Sequence, residues 1–324
     1  MLSTSSYFLS SCLFILTPSL GLLCILNHIL PLFQWIFATS LRTPKDLKKY
    51  GQWAIVTGST DGIGKAFACQ LARKGLNLVL VSRDPTKLDA VSDQIRREVL
   101  GTKVMTIVLE FGGKGMEAGI EELGKAIGGL DVGVLVNNVG ISYPTAMYFD
   151  EVDEEVWMRV VRVNVEGTTK VTRGVLHGMI ERRRGLIVNV GSGAGIIVPS
   201  HPLYAIYAAT KAYVDQFSRS LYVEYKSFGI DVQCQLPLYV ATKMVSKLAS
   251  TEKATLFTPT AQDYAAAAVR RVGYEPRCSP YWAHSLQWYL ASLLPEPALD
   301  AFRLYVGFQR RKKVAPDQKQ RQQN

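Results

Sequence analysis

Tyr207 and Lys211 stand four positions apart within a stretch of helical period, Ile206–Phe228. Positions i and i+4 share one helix face, so the ammonium falls beside the phenol. A positive charge there favours the phenolate and is expected to lower a pKa that starts at about 10. A tyrosine so placed can give a proton to a carbonyl oxygen whose carbon is receiving hydride. Ser192 ends a predicted strand fifteen positions before Tyr207 and offers a second hydrogen bond to the same developing oxyanion. Tyr-x-x-x-Lys alone is weak, because it recurs at Tyr222/Lys226 and Tyr239/Lys243. Only the first pair follows a serine at a strand end. Tyr222 lies about 22 Å further along the same helix at 1.5 Å per residue, and Tyr239 falls in the loop after the sixth strand, where it can at most line a substrate pocket.

The second chemical signal is Thr57-Gly58-Ser59-Thr60-Asp61-Gly62-Ile63-Gly64-Lys65. Gly58 permits a tight exit from a strand, Gly62 a close backbone approach to a pyrophosphate, and Gly64 close packing of the following helix on the sheet. The helix N-terminus adds amide donors and a positive dipole end. The glycine spacing is GxxxGxG rather than GxGxxG, but the loop follows a strand and opens a helix, which is the required context. At the tip of the second strand stand Ser82 and Arg83. Arg83 is placed to pair with a 2′-phosphate, whereas Asp84, followed by Pro85, reads as the cap of the next helix. NADPH is therefore expected over NADH.

These groups need a scaffold, and the apolar runs supply one. Strand-length runs occur at Trp53–Thr57, Leu76–Ser82, Lys103–Leu109, Val132–Val136, Leu186–Val190 and Ile230–Leu236. Segments of helical period separate them, for example Gly64–Lys74 and Pro85–Val99. Near-continuous hydrophobic strands alternating with helices predict an α/β fold, a doubly wound parallel sheet of Rossmann type in a single domain over 50–277.

The chain has 324 residues, 48 % of them hydrophobic, which is ample for a core without disulfide or metal staples. Cys12, Cys24, Cys69, Cys234 and Cys278 form no CxxC, and four scattered histidines add no metal case, so no metal site is expected. The net charge of +10 is localised: Arg42–Lys49 carries +3, Arg310–Asn324 carries +5, and the remainder is nearly neutral. Basic clusters beside apolar segments suit anionic lipid headgroups better than nucleic acid, which is not expected as a partner. Met1–Leu41 holds no charged residue, and its apolar run, interrupted by Pro18 and Pro31, is long enough for one span or a shallow hairpin. An uncleaved membrane anchor over 1–41 is expected, with the basic segment 42–49 placing the following domain in the cytosol. A second apolar, aromatic stretch over 278–309 reads equally as an interfacial belt, a cap on the substrate side or ordinary core, and 310–324 as a basic tail.

Taken together, Thr57–Gly64, Asn137-Asn138-Val139-Gly140, Asn164 within Val163–Gly167, Ser192 and Tyr207-Ala208-Ala209-Thr210-Lys211 resemble the short-chain dehydrogenase/reductase family over about Tyr50–Arg277. The resemblance implies Asn164, Ser192, Tyr207 and Lys211 as catalytic residues. It implies Gly58, Ser59, Asp61, Gly62, Ile63, Gly64, Arg83, Asn137, Tyr207, Lys211 and Thr242 as contacts of the cofactor. By the same resemblance Lys211 also binds the nicotinamide ribose, Asn164 holds a water in a proton relay, and Thr242 reaches the carboxamide. Val139, Gly191, Leu238 and Glu110 depart from the commoner family residues without removing a reacting group. Longer strings, including Lys48–Ile55, Asp61–Phe67, Val165–Thr172 and Gly229–Gln235, are similar to the plant very-long-chain 3-oxoacyl-CoA reductases, with 17β-hydroxysteroid dehydrogenases as neighbours. That implies reduction of a very-long-chain 3-oxoacyl-CoA by NADPH to the (3R)-hydroxyacyl-CoA, at the endoplasmic reticulum membrane, with membrane lipid and the other elongase-cycle enzymes as partners. A steroid or other lipid ketone is the alternative substrate, and a catalytically silent scaffold of the elongase the alternative class. The final Arg321–Asn324 lacks the dilysine common in that branch, so retention is expected to rest on the anchor or on partners.

Overall fold

Strand residues alternate between two apolar layers, and that alternation builds the sheet. Ala54, Val56, Leu78, Leu80, Val134 and Val136 face one hydrophobic cluster, while Ile55, Val79, Val81 and Leu135 face a second on the opposite side. A sheet buried on both faces needs helices over both, as parallel sheets do. In this computed structural model the strands are β1 (Trp53–Thr57), β2 (Asn77–Ser82), β3 (Val104–Val108), β4 (Val132–Asn137), β5 (Gly185–Val190), β6 (Ile230–Gln235) and β7 (Arg277–Cys278). They form one sheet in the order β3-β2-β1-β4-β5-β6-β7, with every pair parallel. The helices are α1 (Gly62–Arg73), α2 (Pro85–Glu98), α3 (Met116–Ile127), α4 (Glu154–Val161), α5 (Thr168–Arg182), α6 (Ala205–Tyr225), α7 (Ala261–Arg270), α8 (Trp282–Ser292) and α9 (Glu296–Arg321). The strand order reverses between β1 and β4, which opens a crevice beyond their carboxyl ends.

The structure describes residue 14 and residues 17–22, 25–26, 29–245 and 253–321, with side chains as far as residue 312. Two compact units are distinguished, Met1–Thr43 and Pro44–Asn324. In the first, residues 29–36 are α-helical and Phe37–Leu41 continue as a π-helical turn; Leu30, Leu32 and Phe33 are exposed. Residues 1–13, 15–16, 23–24 and 27–28 of the expected anchor lie outside the described residues. Among the described residues, no helix is long and apolar enough to cross a membrane.

All six expected strands are present in the second unit, within two residues of their expected ends. β7 has only two residues, too few to carry a pattern in the sequence, and it is held by tertiary contact. Arg277 donates from Nε to Asp215 Oδ1 of α6 at 2.7 Å and from its terminal nitrogen to Oδ2. The stretch expected over 278–309 is mostly α8 and α9. α9 runs on to Arg321, so the basic tail expected from Arg310 begins inside a helix. Arg310 and Arg311 turn onto the domain, the first to the Tyr239 hydroxyl and the second to Glu151. Lys45 of the basic segment is likewise engaged, with Asp231 at 2.8 Å.

Asp231 ties the amino end of β6 to the segment before β1 and to the turn after α6. It accepts from Lys45 Nζ, from Lys226 Nζ at 2.9 Å and from the Tyr50 hydroxyl. Burial alone would raise its pKa, but these three donors outweigh it and hold the carboxyl below its ordinary value of 3.8. A depressed folded pKa gives stability that is complete above the unfolded value and lost as pH falls through the folded one. Asp231→Asn should therefore lower stability at pH 7 by about 1–3 kcal/mol. Urea titrations from pH 7 down to about pH 3 should show a shallower acid loss for the variant than for the wild type; parallel curves would remove Asp231 from that role.

Candidate active site

The crevice is closed at its floor by cross-ties between the two strand exits. Thr57, the last residue of β1, accepts at Oγ1 from the amides of Asn138 (3.0 Å) and Val139 (3.1 Å). In return Asn138 Nδ2 donates to the carbonyls of Thr57 (3.0 Å) and Gly58 (3.1 Å). Gly58 and Gly62 take φ of +63° and +52°, a left-handed conformation that glycine adopts freely. A Cβ on Gly64 would stand 2.3 Å from both Asn138 Nδ2 and the Gly58 carbonyl, so no side chain fits where α1 crosses the strand exit. The loop is thus bound against the second strand exit, with the first turn of α1 opening on the groove. Asp61 caps α1 by accepting from the Gly62 amide at 2.8 Å and pairs with Lys243 at 2.8 Å.

Ser192 follows β5 and caps a short 3-10 turn, its hydroxyl accepting from the Ala194 amide at 3.1 Å. α6 begins where the Tyr143 hydroxyl accepts from the Ile206 amide at 3.1 Å, and one turn in it presents Tyr207 and Lys211. Lys211 Nζ donates to the Val190 carbonyl at 2.9 Å, and the Ser192 hydroxyl lies near enough to the Tyr207 phenol to lower its pKa. Asn164 lies in a π-helical segment, Arg162–Gly167, between α4 and α5. Its amide clasps Ile141, accepting from the amide at 2.8 Å and donating to the carbonyl at 2.9 Å, and donates to Thr210 Oγ1 at 3.0 Å. A methyl on Gly140 would stand 3.2 Å from Lys211 Nζ and 3.4 Å from Asn164 Oδ1, so those two groups converge there. Of the four residues expected to do chemistry, Ser192, Tyr207 and Lys211 line one groove, and Asn164 is buried behind Gly140.

Their proton affinities differ from expectation at one point. Burial raises the Tyr207 pKa above its ordinary value, the Ser192 hydroxyl opposes that, and nearby Tyr239 adds to it. Burial likewise brings Lys211 down to about 8, its ammonium turned to the Val190 carbonyl.

Other expected contacts are placed variously. Gly58, Asp61, Gly62, Ile63, Arg83, Tyr207, Lys211 and Thr242 line one groove, a cavity of about 430 Å³. Ser59 is buried, and its hydroxyl turns to the Val81 carbonyl of β2. The Asn137 side chain points away, donating to Thr172 Oγ1 and Asn189 Oδ1, both at 2.8 Å, beneath the sheet edge. Asn138 is the asparagine that lines the groove. The adjacent pair was visible in the sequence, but strand alternation decides which member faces the crevice, and β4 extends one residue further than the apolar run. Arg83 stands at the groove with its head exposed and paired to Glu110 at 3.4 Å, while Asp84 accepts from the Lys87 amide as a helix cap.

The far wall, which the catalytic pattern did not signal, comes from the loop after β6 and from α9, with α8 behind the loop. His284 of α8 is buried and pins the loop after β6, accepting at Nδ1 from the Leu238 amide (3.3 Å) and donating from Nε2 to the Tyr239 carbonyl (3.1 Å). Arg303 and Arg310 of α9 donate to the Tyr239 hydroxyl, and Arg303 also reaches His201. Burial and these two guanidinium groups push His201 down to about 3, leaving it neutral.

A nicotinamide dinucleotide fits this groove on the geometry of the residues present. The positive-φ glycines of the loop carry no Cβ, Asn138 and Thr57 hold the loop rigid, and Tyr207 and Lys211 lie at the opposite end from Arg83. The buried lysine gives a test. Folded Lys211 releases its proton near 8, whereas the unfolded chain keeps one to 10.5, so over that window the unfolded state binds more protons. Stability of the cofactor-free protein should then rise with pH from 8 towards 10, relative to Lys211→Met. Identical pH slopes for the two proteins in chemical denaturation would contradict a buried, readily neutralised lysine.

Comparison with known proteins agrees with this geometry. The model of the short chain dehydrogenase family matches residues 52–253. A very-long-chain 3-oxoacyl-CoA reductase-like protein of Arabidopsis thaliana is 56 % identical over 282 residues, covering 87 % of this chain and 89 % of the relative. The very-long-chain 3-oxoacyl-CoA reductase of Mus musculus is 41 % identical over 262 residues, 80 % of each chain. A short-chain dehydrogenase from Sphingobium yanoikuyae, solved in complex with NADPH, superposes with a TM-score of 0.63 at 27 % identity, over 78 % of this chain and 94 % of that one. With its parallel seven-stranded sheet and a groove of this composition, the chain belongs to the short chain dehydrogenase family, oxidoreductases acting on CH–OH and C=O groups with a nicotinamide cofactor.

Proposed function

We propose that the protein uses NADPH to reduce the 3-oxo group of very-long-chain 3-oxoacyl-CoA, as the reductase step of fatty acid elongation. The observation that carries the reading is the meeting of Ser192, Tyr207 and Lys211 in the same groove as the glycine loop. The names of its relatives in Arabidopsis thaliana and Mus musculus support the substrate class. When bound, the reduced nicotinamide supplies hydride to the substrate carbonyl carbon. The Ser192 hydroxyl and the Tyr207 phenol hold the carbonyl oxygen, and Tyr207 gives it a proton. The raised pKa of Tyr207 suits this direction, because the phenol is protonated at neutral pH and reduction consumes that proton. Lys211, cationic below about 8, compensates the phenolate left behind. Asn164 fixes the loop carrying Gly140 and Ile141, which keeps the wall of the reaction chamber in register.

The choice of NADPH rests on the tip of β2. The Arg83–Glu110 pair is exposed, and such pairs are worth only about 0–1 kcal/mol, so the guanidinium is free to turn to a 2′-phosphate at little cost. Asp84, the acid that would repel that phosphate, is committed to capping α2. Removing one charge-assisted contact costs about 1.5–3 kcal/mol, or roughly 10- to 100-fold. Arg83→Ala should raise the KM for NADPH by about that factor and change that for NADH by less than about 2-fold. Equal effects on both cofactors would reject the assignment.

The reading extends to location. An anchor over 1–41 followed by the basic segment 42–49 would hold the domain at the cytosolic face of the endoplasmic reticulum membrane, among lipid and the other elongase enzymes. A very long acyl chain partitions into the bilayer, so a reductase standing at that surface meets its substrate there. The deciding experiment follows NADPH oxidation by the detergent-solubilised full chain, with a long-chain 3-oxoacyl-CoA and a 17-ketosteroid in parallel. Faster turnover of the thioester is expected, with Tyr207→Phe losing about 10²- to 10⁴-fold in kcat while still binding cofactor. Turnover of the steroid alone would move the protein to the lipid-ketone reductases, and cofactor binding with no turnover of either would point to a scaffold.

A further inference from the structure

The C-terminal helix α9 lies outside the segment 52–253 that carries the family pattern, yet two of its arginines enter the reaction chamber. Arg303 and Arg310 are two turns apart on α9, and both donate to one atom, the Tyr239 hydroxyl oxygen, Arg303 at 3.4 Å. Neither guanidinium has a carboxylate partner among the described residues. A phenol oxygen has two acceptor positions and one proton. With both acceptor positions taken, the O–H of Tyr239 is turned away from α9, and it has no protein acceptor among the described residues. The backbone of the same residue is clamped by the buried His284, so Tyr239 is fixed at both ends. It lines the same cavity as Ser192 and Tyr207, close enough to raise the Tyr207 pKa.

A fixed phenolic donor beside a site that already has two donors for the reacting oxygen calls for a second acceptor on the substrate. We propose that Tyr239 donates a hydrogen bond to the unreacting carbonyl of a 1,3-dicarbonyl substrate, the thioester carbonyl of a 3-oxoacyl thioester. Arg303 and Arg310 act as positioning residues that set the direction of that donor. The two guanidinium groups also draw the Tyr239 pKa down against the effect of burial, which makes its O–H a stronger donor. This inference rests on the 3-oxoacyl reading of the preceding section. It explains how one chamber could separate a 3-oxoacyl thioester from an isolated ketone: only the former presents two oxygens one methylene apart.

The test uses the full chain in detergent with NADPH and three probes. They are a 3-oxoacyl-CoA, the same acyl group on N-acetylcysteamine, and the thioether analogue of the latter in which a methylene replaces the thioester carbonyl. Each is measured as substrate, and the thioether also as a competitive inhibitor. Wild type should prefer thioester to thioether by roughly 10- to 100-fold, the value of one hydrogen bond to an acidified donor. Tyr239→Phe should raise KM for both thioesters by that factor, leave the thioether constant unchanged, and so abolish the preference. Arg310→Met should go part of the way in the same direction, and Arg310→Lys should recover some of the loss. Cofactor affinity, read by fluorescence, should be the same in all variants and reports that they are folded. Equal losses on thioester and thioether would overturn the proposal in favour of a structural role. Losses confined to the CoA ester would overturn it in favour of phosphate binding by the arginines. If wild type reduces no 3-oxoacyl probe, the reductase reading itself falls; if it does and Tyr239→Phe keeps the preference, only the role of Tyr239 falls.

Discussion

How closely the carboxyl ends of β1 and β4 can approach determines the rest of the site. Thr57 and Asn138 tie the two exits with four hydrogen bonds, and α1 starts against them only because Gly64 has no side chain. Once the floor is fixed, parallel register does the rest. β5 beside β4 puts Ser192 next to the Asn138–Gly140 turn, and α6 returns under β5 so that Lys211 meets the Val190 carbonyl. The bare α-carbon of Gly140 then leaves Lys211 and Asn164 facing one another across a gap that a methyl would press on.

Burial at that floor sets the protonation of the reacting groups. Desolvation disfavours charge on both members of the Tyr207/Lys211 pair, raising the phenol and lowering the ammonium. The pair therefore rests with its proton on the tyrosine, the state from which reduction starts. A lysine that drew the tyrosine down strongly at rest would favour phenolate, the state oxidation requires. Tyr239 is pulled the other way, towards acidity, by two guanidinium groups that themselves keep His201 neutral. The chamber thus holds two phenols of opposite tendency, one retaining its proton until it is transferred and the other offering a hydrogen bond.

Local pattern was enough for much of this. β1, the GxxxGxG loop, the Asp84 cap and the Tyr207/Lys211 helix face all follow from residues close together in the chain, and each lies where spacing predicts. The features that were not legible depend on long-range placement. Asn137 and Asn138 are neighbours whose roles are exchanged by one step of strand alternation. Ser59 belongs to the loop, yet its hydroxyl is taken by β2. Arg303 and Arg310 read as an apolar stretch and a charged tail, and nothing at short range says that one hydroxyl some seventy positions earlier collects both.

That separation in sequence has a physical counterpart in the division of tasks. The reacting groups sit on the sheet edge and on α6, where backbone hydrogen bonds fix them and where any change disturbs the shared floor. The groups facing the remainder of the cavity come from the loop after β6 and from α9, which also holds Glu151, Ser200 and His201. Among the described residues Arg303, Arg310 and Tyr239 make no hydrogen bond to Ser192, Tyr207 or Lys211, so substitution there can alter which carbonyl compound is held with the reacting groups left in place. A fold whose chemistry is set by one layer and whose selectivity is set by another can change substrate by changing its last two helices, and it is there that an acyl thioester reductase and a steroid dehydrogenase would be expected to part.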